Sequence, residues 1–371
     1  MIKDKSYNME KLTKIVLTGG PCSGKTTALA QIKEYFSNLG FRVFILPELP
    51  TMFSQAGVNF LTSNKSYFYQ AEESLIALQI EMEHQFEKIA KAQEKPAIIV
   101  CDRGVMDISA YLSEDVWQAM LDDRQSNVVQ LRDARYDAVI HMVTAANGAE
   151  KFYTNANNEH RSENIEQARA LDEKLINAWT GHPRLRIVGN TETFSVKLNN
   201  VLSEISEVLG VPQPIEAERK YLVEVIGEIP NAVENDIYQT YLVSDSKDEV
   251  RLRKRGKEGS YVYFYTEKEL SDTERIETER QITPREYVTL LEDADSTRET
   301  IYKKRTCFVW ERQYFELDTF INPNIGITIL EIECVNEGDV NLPPFIKVIE
   351  DVTGRKEYYN YNLAKKQESI V

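Results

Sequence analysis

The sequence predicts two folds in tandem: an α/β domain with a parallel sheet over residues 1–210, then an antiparallel β-barrel domain, α+β in class, over 211–371. Three observations carry that expectation. A short apolar run, Ile15-Val16-Leu17, enters the pattern G-x-x-x-x-G-K-[ST] from Gly19 to Thr26 and continues into a helical stretch. From Ile215 onward the pattern changes to period two, rich in Tyr, Val, Ile and Thr, with charges on alternate positions. Between the two, Leu209-Gly210-Val211-Pro212-Gln213-Pro214 interrupts helix propensity repeatedly, which places the boundary there.

The first pattern is a phosphate-binding loop, Gly19-Gly20-Pro21-Cys22-Ser23-Gly24-Lys25-Thr26-Thr27. Gly19 and Gly24 permit backbone conformations closed to residues with a Cβ, so successive N–H groups can turn inward around phosphate oxygens. A helix expected from about Lys25 to Asn38 presents its positive end to the same anion. Lys25 is the side chain that reaches the β- and γ-phosphates, and the Thr26 hydroxyl is a ligand for Mg²⁺.

Composition narrows the class. Hydrophobic residues at 42% and charged residues at 28% describe an ordinary globular chain with room for more than one core. The cysteines, Cys22, Cys101, Cys307 and Cys334, are widely spaced, which argues against a zinc site or a disulfide frame. No apolar run nears the roughly twenty residues that span a bilayer, and the polar start does not read as a signal peptide, so a cytoplasmic location is expected. A net charge of −15 disfavours nonspecific binding to nucleic acid or anionic membrane, and any bound anion needs a locally basic pocket.

Along the first half, Phe41 to Leu46 reads as a second strand, with Glu48 beyond its end. Ligands of open α/β sheets sit at the carboxyl ends of strands, so Glu48 meets a second substrate or organises water near the γ-phosphate, or else is a solvated loop carboxylate. Residues Ser66 to Glu94 carry apolar positions at helical spacing. The buried-looking run Ala97 to Cys101 ends in Asp102-Arg103-Gly104, where an acid beside a phosphate loop organises Mg²⁺ or deprotonates a nucleophile. Asp102 is therefore a candidate catalytic residue and metal ligand with Lys25, whereas Arg103 fits a surface ion pair as well. A strand over Ala138 to Val143 follows. Beyond it Arg161 and Arg169 lie on an expected helix, as a lid over the phosphates or as a solvated face. Leu185 to Val188 is the last strand of this domain, and Asn190 turns beyond it toward the place of a base.

In the second half, residues two apart share one face of a strand. Glu216, Glu218 and Lys220 do so, as do Arg251, Arg253 and Arg255, then Arg275, Glu277 and Glu279, Lys303 and Arg305, and Glu331 and Glu333. One such strand is an ordinary wet face. Five of them make one sheet face charged almost throughout, and closure into a barrel puts those charges in a lumen, where acids hold a divalent metal and bases clamp a polyanion such as a triphosphate.

These residues carry three resemblances. The GGPCSGKTT loop, the DRG after the third strand and the lid arginines resemble P-loop kinase-type ATPases; the guanine-reading N-K-x-D of Ras-type GTPases is missing, since Asn64-Lys65-Ser66 is followed by Tyr67. The order E-x-E-x-K, R-x-R, Lys268, R-x-E-x-E, K-x-R, Asp318, E-x-E resembles the CYTH or triphosphate tunnel superfamily, with Leu222 where some members carry a further lysine. That resemblance implies Glu216, Glu218, Glu331 and Glu333 as metal ligands, Glu331 and Glu333 among the catalytic groups, and Lys220, Arg251, Arg253, Lys268, Arg275, Lys303 and Arg305 as phosphate-holding residues. The fusion of the two domains resembles the TRPL translocation defect protein 14 family, which implies GTP binding, an acidic-phospholipid interaction and a role in membrane-protein trafficking.

Two functions are thus expected. One is an enzyme with Mg²⁺ (or Mn²⁺) as cofactor: GTP or ATP binds at the loop, and the tunnel binds and hydrolyses a triphosphate, with kinase-like transfer at the loop as a further branch. The other is a non-enzymatic regulator in which the tunnel takes a triphosphate-bearing small molecule or a phospholipid headgroup and the protein touches a membrane peripherally.

Overall fold

The computed structural model describes residues 12–93, 95–153, 164–191, 193–211, 217–244, 249–270, 275–311, 313–323, 325–334 and 340–366, with backbone alone at 152, 217, 269–270, 275–278 and 333–334. It divides into two compact units, Met1–Ile215 and Glu216–Val371.

The first unit is an α/β fold around a five-stranded parallel sheet: β1 (Leu12–Thr18), β2 (Arg42–Leu46), β3 (Ala97–Asp102), β4 (Ala138–Met142) and β5 (Leu185–Val188), in the order β2-β3-β1-β4-β5. Strand β1 sits in the centre, paired in register with β3 (Ile15 beside Val100) and β4 (Ile15 beside Ala138). Such strands are covered on both faces, which is why β3 and β4 are almost wholly apolar. The helices are α1 (Lys25–Asn38), α2 (Leu49–Gln55), α3 (Lys65–Lys91), α4 (Val105–Ser109), α5 (Glu114–Asp123), α6 (Ile165–Trp179) and α7 (Phe194–Leu209). Helix α1 buries Ala28, Leu29, Ile32 and Phe36, one stripe at helical spacing. These meet Ile15, Leu17, Val100 and Ile140 from the sheet and Val201 and Ile205 from α7 in one core. Because all strands are parallel, their carboxyl ends share one edge, and the phosphate loop, Glu48, Asp102 and Asn190 all follow that edge.

The second unit is a nine-stranded antiparallel sheet of β6 (Ala217–Val225), β7 (Val233–Tyr241), β8 (Glu249–Lys257), β9 (Ser260–Leu270), β10 (Arg275–Ile282), β11 (Ile301–Trp310), β12 (Gln313–Asn322), β13 (Thr328–Cys334) and β14 (Ile346–Asp351). The order is β10-β9-β8-β7-β11-β12-β13-β6-β14. The order has two ends, β10 and β14, and among the described residues no ladder joins them. The sheet nevertheless curves around its charged face. Strands β8 and β12 stand three places apart, roughly 14 Å on a flat sheet, yet Arg255 Nη1 lies 3.7 Å from Glu316 Oε1. The opposite face carries Tyr221, Val223, Phe308, Phe315, Leu317, Leu330 and Ile332 as a core with Phe345 and Ile346. A second patch, Val250, Leu252 and Ile282, packs with Tyr287 of α8 (Pro284–Leu290). On the concave side, Tyr241, Ile301, Phe320 and Ile329 pack with Ala364 and, beside it, Tyr361 and Leu363, at the end of α9 (Asn360–Leu363).

Candidate functional site

The loop between β1 and α1 has the backbone its sequence requires. Gly19 takes φ +149°, Cys22 φ +57° and Gly24 φ +92°, and a Cβ on Gly19 would lie 2.1 Å from Met142 O. The turn is pinned from behind. Gly20 N donates to Asp172 Oδ1 of α6 at 2.7 Å. Thr144 Oγ1 donates to Pro21 O, and Lys197 Nζ of α7 donates to Ser23 O at 3.1 Å and Val143 O at 2.6 Å. Asp172 also accepts from Thr144 N and pairs with His141 Nε2 at 3.1 Å, and against the burial that opposes it this company holds its carboxyl below the usual range. The carbonyls of Pro21 and Ser23 thus face the protein, and with the Gly20 N–H held by Asp172 it is the N–H groups at the start of α1 that are left for an anion. Lys25 Nζ donates to Gly19 O at 3.2 Å, folded back over its own loop, and Thr26 and Thr27 are exposed.

Beside it, Asp102 ends β3, and the next residue, Arg103, takes φ +71°, uncommon for a residue other than glycine. This turns Arg103 inward: its side chain is 12% exposed, and Nε donates to Glu48 Oε1 at 2.5 Å. Arg103 thus makes its ion pair inward, beside the loop, with Glu48, whose side chain is 29% exposed. Burial acts to raise Glu48, but Arg103 and Lys25 together bring it down to about 2. Burial, followed by Arg103, lowers Lys25 to about 8. Burial raises Asp102 despite the pull of Lys25, and its Oδ1 is buried with no hydrogen-bond partner among the described residues. Asp107 supports the corner, accepting from Gly104 N at 2.7 Å and from the Thr18 hydroxyl.

Asp172, His141, Lys197 and Asp107 are not among the site residues read from the sequence. Only Asp107 carries a local signal, the helix-start spacing Gly104-x-x-Asp107. Asn190 Nδ2 donates to Thr144 O and Asn147 O, each at 2.8 Å, and Oδ1 accepts from Lys197 at 2.8 Å, so its amide joins loops together. Arg169 donates to Ala146 O and pairs with Glu150. Arg161 lies outside the described residues.

In the second unit the strand register puts the predicted charges on one face. Arg305 stands opposite Asp318 and Asn235; Arg253 opposite Gln239; Arg251 opposite Tyr241 and Thr266; Lys268 opposite Glu249 and Glu277; Lys220 opposite Glu331; Glu218 opposite Glu333; Arg275 opposite Leu270. Lys303, Arg305, Asp318 and Glu331 are all buried there. Arg305 is the hub: Nε donates to Asp318 Oδ1 at 2.7 Å, Nη2 to Asp318 Oδ2 at 2.6 Å and to Glu331 Oε2 at 2.7 Å, and Nη1 pairs with Glu316. Lys303 pairs with Asp318. Lys220 Nζ donates to Glu331 Oε1 at 2.7 Å and lies 3.1 Å from Glu218. Arg253 reaches Glu279 at 3.2 Å. Burial pushes Glu331 and Asp318 upward, but these cations win and hold both below the usual carboxylate range, Glu331 well below it. Glu216 and the side chains of Arg275 and Glu333 lie outside the described residues.

The two places differ in their fitness for a metal. At the loop, Thr26 is exposed and offers a hydroxyl, and Asp102 offers a carboxylate oxygen without a hydrogen-bond partner among the described residues, a donor set that fits Mg²⁺. On the charged face of the second unit both Glu331 oxygens are taken by cations, and among the described residues no three His, Cys, Asp or Glu side chains gather as a metal site.

Residues 14–195 match the family described as "AAA domain". The first unit is a P-loop nucleotide-binding domain. None of the curated proteins compared with the chain matches it. Among solved structures, the chain is similar to the hypothetical protein NE1496, 30% identical with 40% of this chain and 97% of that one covered and a TM-score of 0.31. A structure described as the inorganic triphosphatase NE1496 is 27% identical, with 42% and 97% covered and a TM-score of 0.32. The thymidylate kinase from Ehrlichia chaffeensis is 20% identical, with 53% and 98% covered and a TM-score of 0.34.

Proposed function

We propose that the protein binds a magnesium nucleoside triphosphate at residues 19–27 and a triphosphate or similar polyanion on the concave face of its second unit. The observation that carries the first half is that Lys25 and Asp102 lie near enough at one strand edge to act on each other's charge, while Asp102 Oδ1 is buried with no hydrogen-bond partner among the described residues. Lys25 holds the β- and γ-phosphates, Thr26 and Asp102 hold Mg²⁺, and the loop N–H groups take the remaining charge. When bound, Mg²⁺ neutralises developing charge on the transferred phosphoryl group. Glu48, kept ionised and aimed by Arg103, orients whatever attacks the γ-phosphate, water or a hydroxyl, by accepting its hydrogen bond. In the second unit, Arg251, Arg253, Lys220, Lys303 and Arg305 are the cations for the polyanion, joined by Lys268 and Arg275 on the same face.

A second reading has its own support. With Glu331 held by Lys220 and Arg305, a tunnel metal must first displace two cations, which favours a receptor over a hydrolase. Under that reading the chain belongs with the TRPL translocation defect protein 14 family, loads GTP in front and takes an acidic phospholipid headgroup behind. Titration of Mg-ATP, Mg-GTP and tripolyphosphate into the full chain and its Lys25→Ala variant, with phosphate release followed in parallel, separates them. Release that survives Lys25→Ala assigns hydrolysis to the tunnel, release lost with it assigns hydrolysis to the loop, and binding without release supports the receptor. No binding of any of the three overturns both.

A further inference from the structure

We infer that Phe194 is the platform on which the base of the loop-bound nucleotide stacks, and that the site consequently takes adenine and guanine nucleotides alike. This rests on the reading of the first unit as a nucleotide site, and it begins from the direction in which a ligand must lie. The sheet order β2-β3-β1-β4-β5 places Glu48 and Asp102 on one side of the phosphate loop and the loop after β5 on the other. Reactive groups mark the γ-phosphate end, so the nucleoside end leaves toward β4 and β5.

At that side the first residue of α7 is Phe194. Its ring lies against the phosphate loop: a Cβ built on Gly24 would stand 2.4 Å from Phe194 Cε2 and 2.5 Å from Cζ. The residue is still 43% exposed. A phenyl ring with one edge on the loop glycine, on a residue this exposed, offers a surface that a planar base can cover. Its position is fixed in advance. Asn190 holds Thr144 O and Asn147 O, and Lys197, one turn into α7, joins Asn190 Oδ1, Ser23 O and Val143 O. The ring is thereby tied to the same backbone that cradles the phosphates, so little freedom is lost when the base arrives.

The same bonds bear on selectivity. Distinguishing adenine from guanine requires a donor or acceptor matched to the base edge, and the Asn190 amide, four residues before Phe194, already has both N–H groups and its oxygen engaged. Stacking contacts a π-face that every base possesses, which makes it tolerant of base identity.

The test uses the full chain and the part of binding that Lys25→Ala removes, so that tunnel binding is subtracted. ATP, GTP and inorganic pyrophosphate are titrated into wild type, Phe194→Leu and Phe194→Trp. Leucine keeps an apolar cover on Gly24 without a π-face; tryptophan keeps the face. Wild type is expected to bind ATP and GTP within about threefold of each other. Phe194→Leu is expected to lose about fivefold to a hundredfold for both, with pyrophosphate unchanged and Phe194→Trp close to wild type. Unchanged nucleotide affinity in Phe194→Leu, or an equal loss for pyrophosphate, overturns the stacking role. A wild-type preference above about tenfold overturns the shared recognition of both bases. Absence of any Lys25-dependent nucleotide binding in wild type appears before the variants are compared, and removes the nucleotide site itself.

Discussion

Asp172 Oδ1 accepts the backbone N–H of Gly20 at 2.7 Å, a bond between positions 152 residues apart. It makes a carboxylate on α6 part of the phosphate loop, and there is no room for anything larger than glycine at position 20, where a Cβ would lie 2.6 Å from that oxygen. Asp172→Ala strands the N–H groups of Gly20 and Thr144 and the ring of His141 in a buried place. The expected cost is about 1–3 kcal/mol of stability, read by urea unfolding. Nucleotide affinity is expected to fall as well, because the loop loses its anchor. Asp172→Asn keeps one acceptor and should fall between. An alanine variant with unchanged affinity and unfolding midpoint would show that the bond is incidental.

Lys25 makes nucleotide binding depend on pH in a stated direction. Burial, then Arg103, lowers it from an ordinary value of 10.5 to about 8. The shift disfavours the charged form on folding, so the cost of charged Lys25 is present below pH 8 and disappears as pH rises toward 10.5. Phosphate binding needs the ammonium. Affinity is therefore expected to decline as pH rises through about 8, and binding between pH 8 and 9 to take up a proton. Calorimetry in two buffers of different ionisation enthalpy measures that uptake directly; identical heats in both buffers would contradict it.

Asp102 and Glu48 should matter more for turnover than for binding, since a metal-held phosphate and an oriented nucleophile act mostly in the transition state. Asp102→Asn is expected to retain nucleotide and lose phosphate release or transfer by about a hundredfold or more. Glu48→Gln should resemble it while leaving Arg103 without its closest carboxylate. A variant of either residue that turns over at the wild-type rate removes it from the chemistry.

What was legible in the sequence follows from how local each signal is. Helix Lys25–Asn38 and strand Leu185–Val188 match their expected limits, because a phosphate loop fixes the first and a short apolar run between turns the second. The alternation of charges foretold a shared face, since period two is a property of the strand itself. The short helix Leu49–Gln55 went unread: with Pro50 near its start and seven residues, it has too few turns to show a stripe. Asp172, Lys197 and His141 left no trace either. A single polar residue inside a helix or strand reads as solvated until tertiary packing brings a backbone loop to it. Arg103 was left open for the same reason, because its inward turn depends on φ +71°, which no residue type at that position announces.

The concave face of the second unit gives the last prediction. Arg305 is buried among Asp318, Glu316 and Glu331, so Arg305→Leu leaves three carboxylates near one another with one cation fewer. Removing one partner of a buried pair costs about 3–5 kcal/mol, and a marked fall in denaturant midpoint is expected. Glu331→Gln acts in the opposite sense on ligands: it releases Lys220 and part of Arg305, and tripolyphosphate affinity, measured in a Lys25→Ala background, is expected to hold or rise. Arg251→Ala with Arg253→Ala should lower it, since two guanidinium forks are lost to phosphate. Stability also acquires an acid limit. The carboxyls of Glu331 and Asp318 are depressed by their cations, so their contribution is present above the ordinary carboxylate range and is lost as pH falls through their folded values. In Glu331→Gln the loss on acidification should be shallower than in wild type. If tripolyphosphate affinity instead collapses in Glu331→Gln while the fold is intact, the carboxylate is holding a metal for the phosphate, and the tunnel works as an enzyme's metal site and not as a receptor.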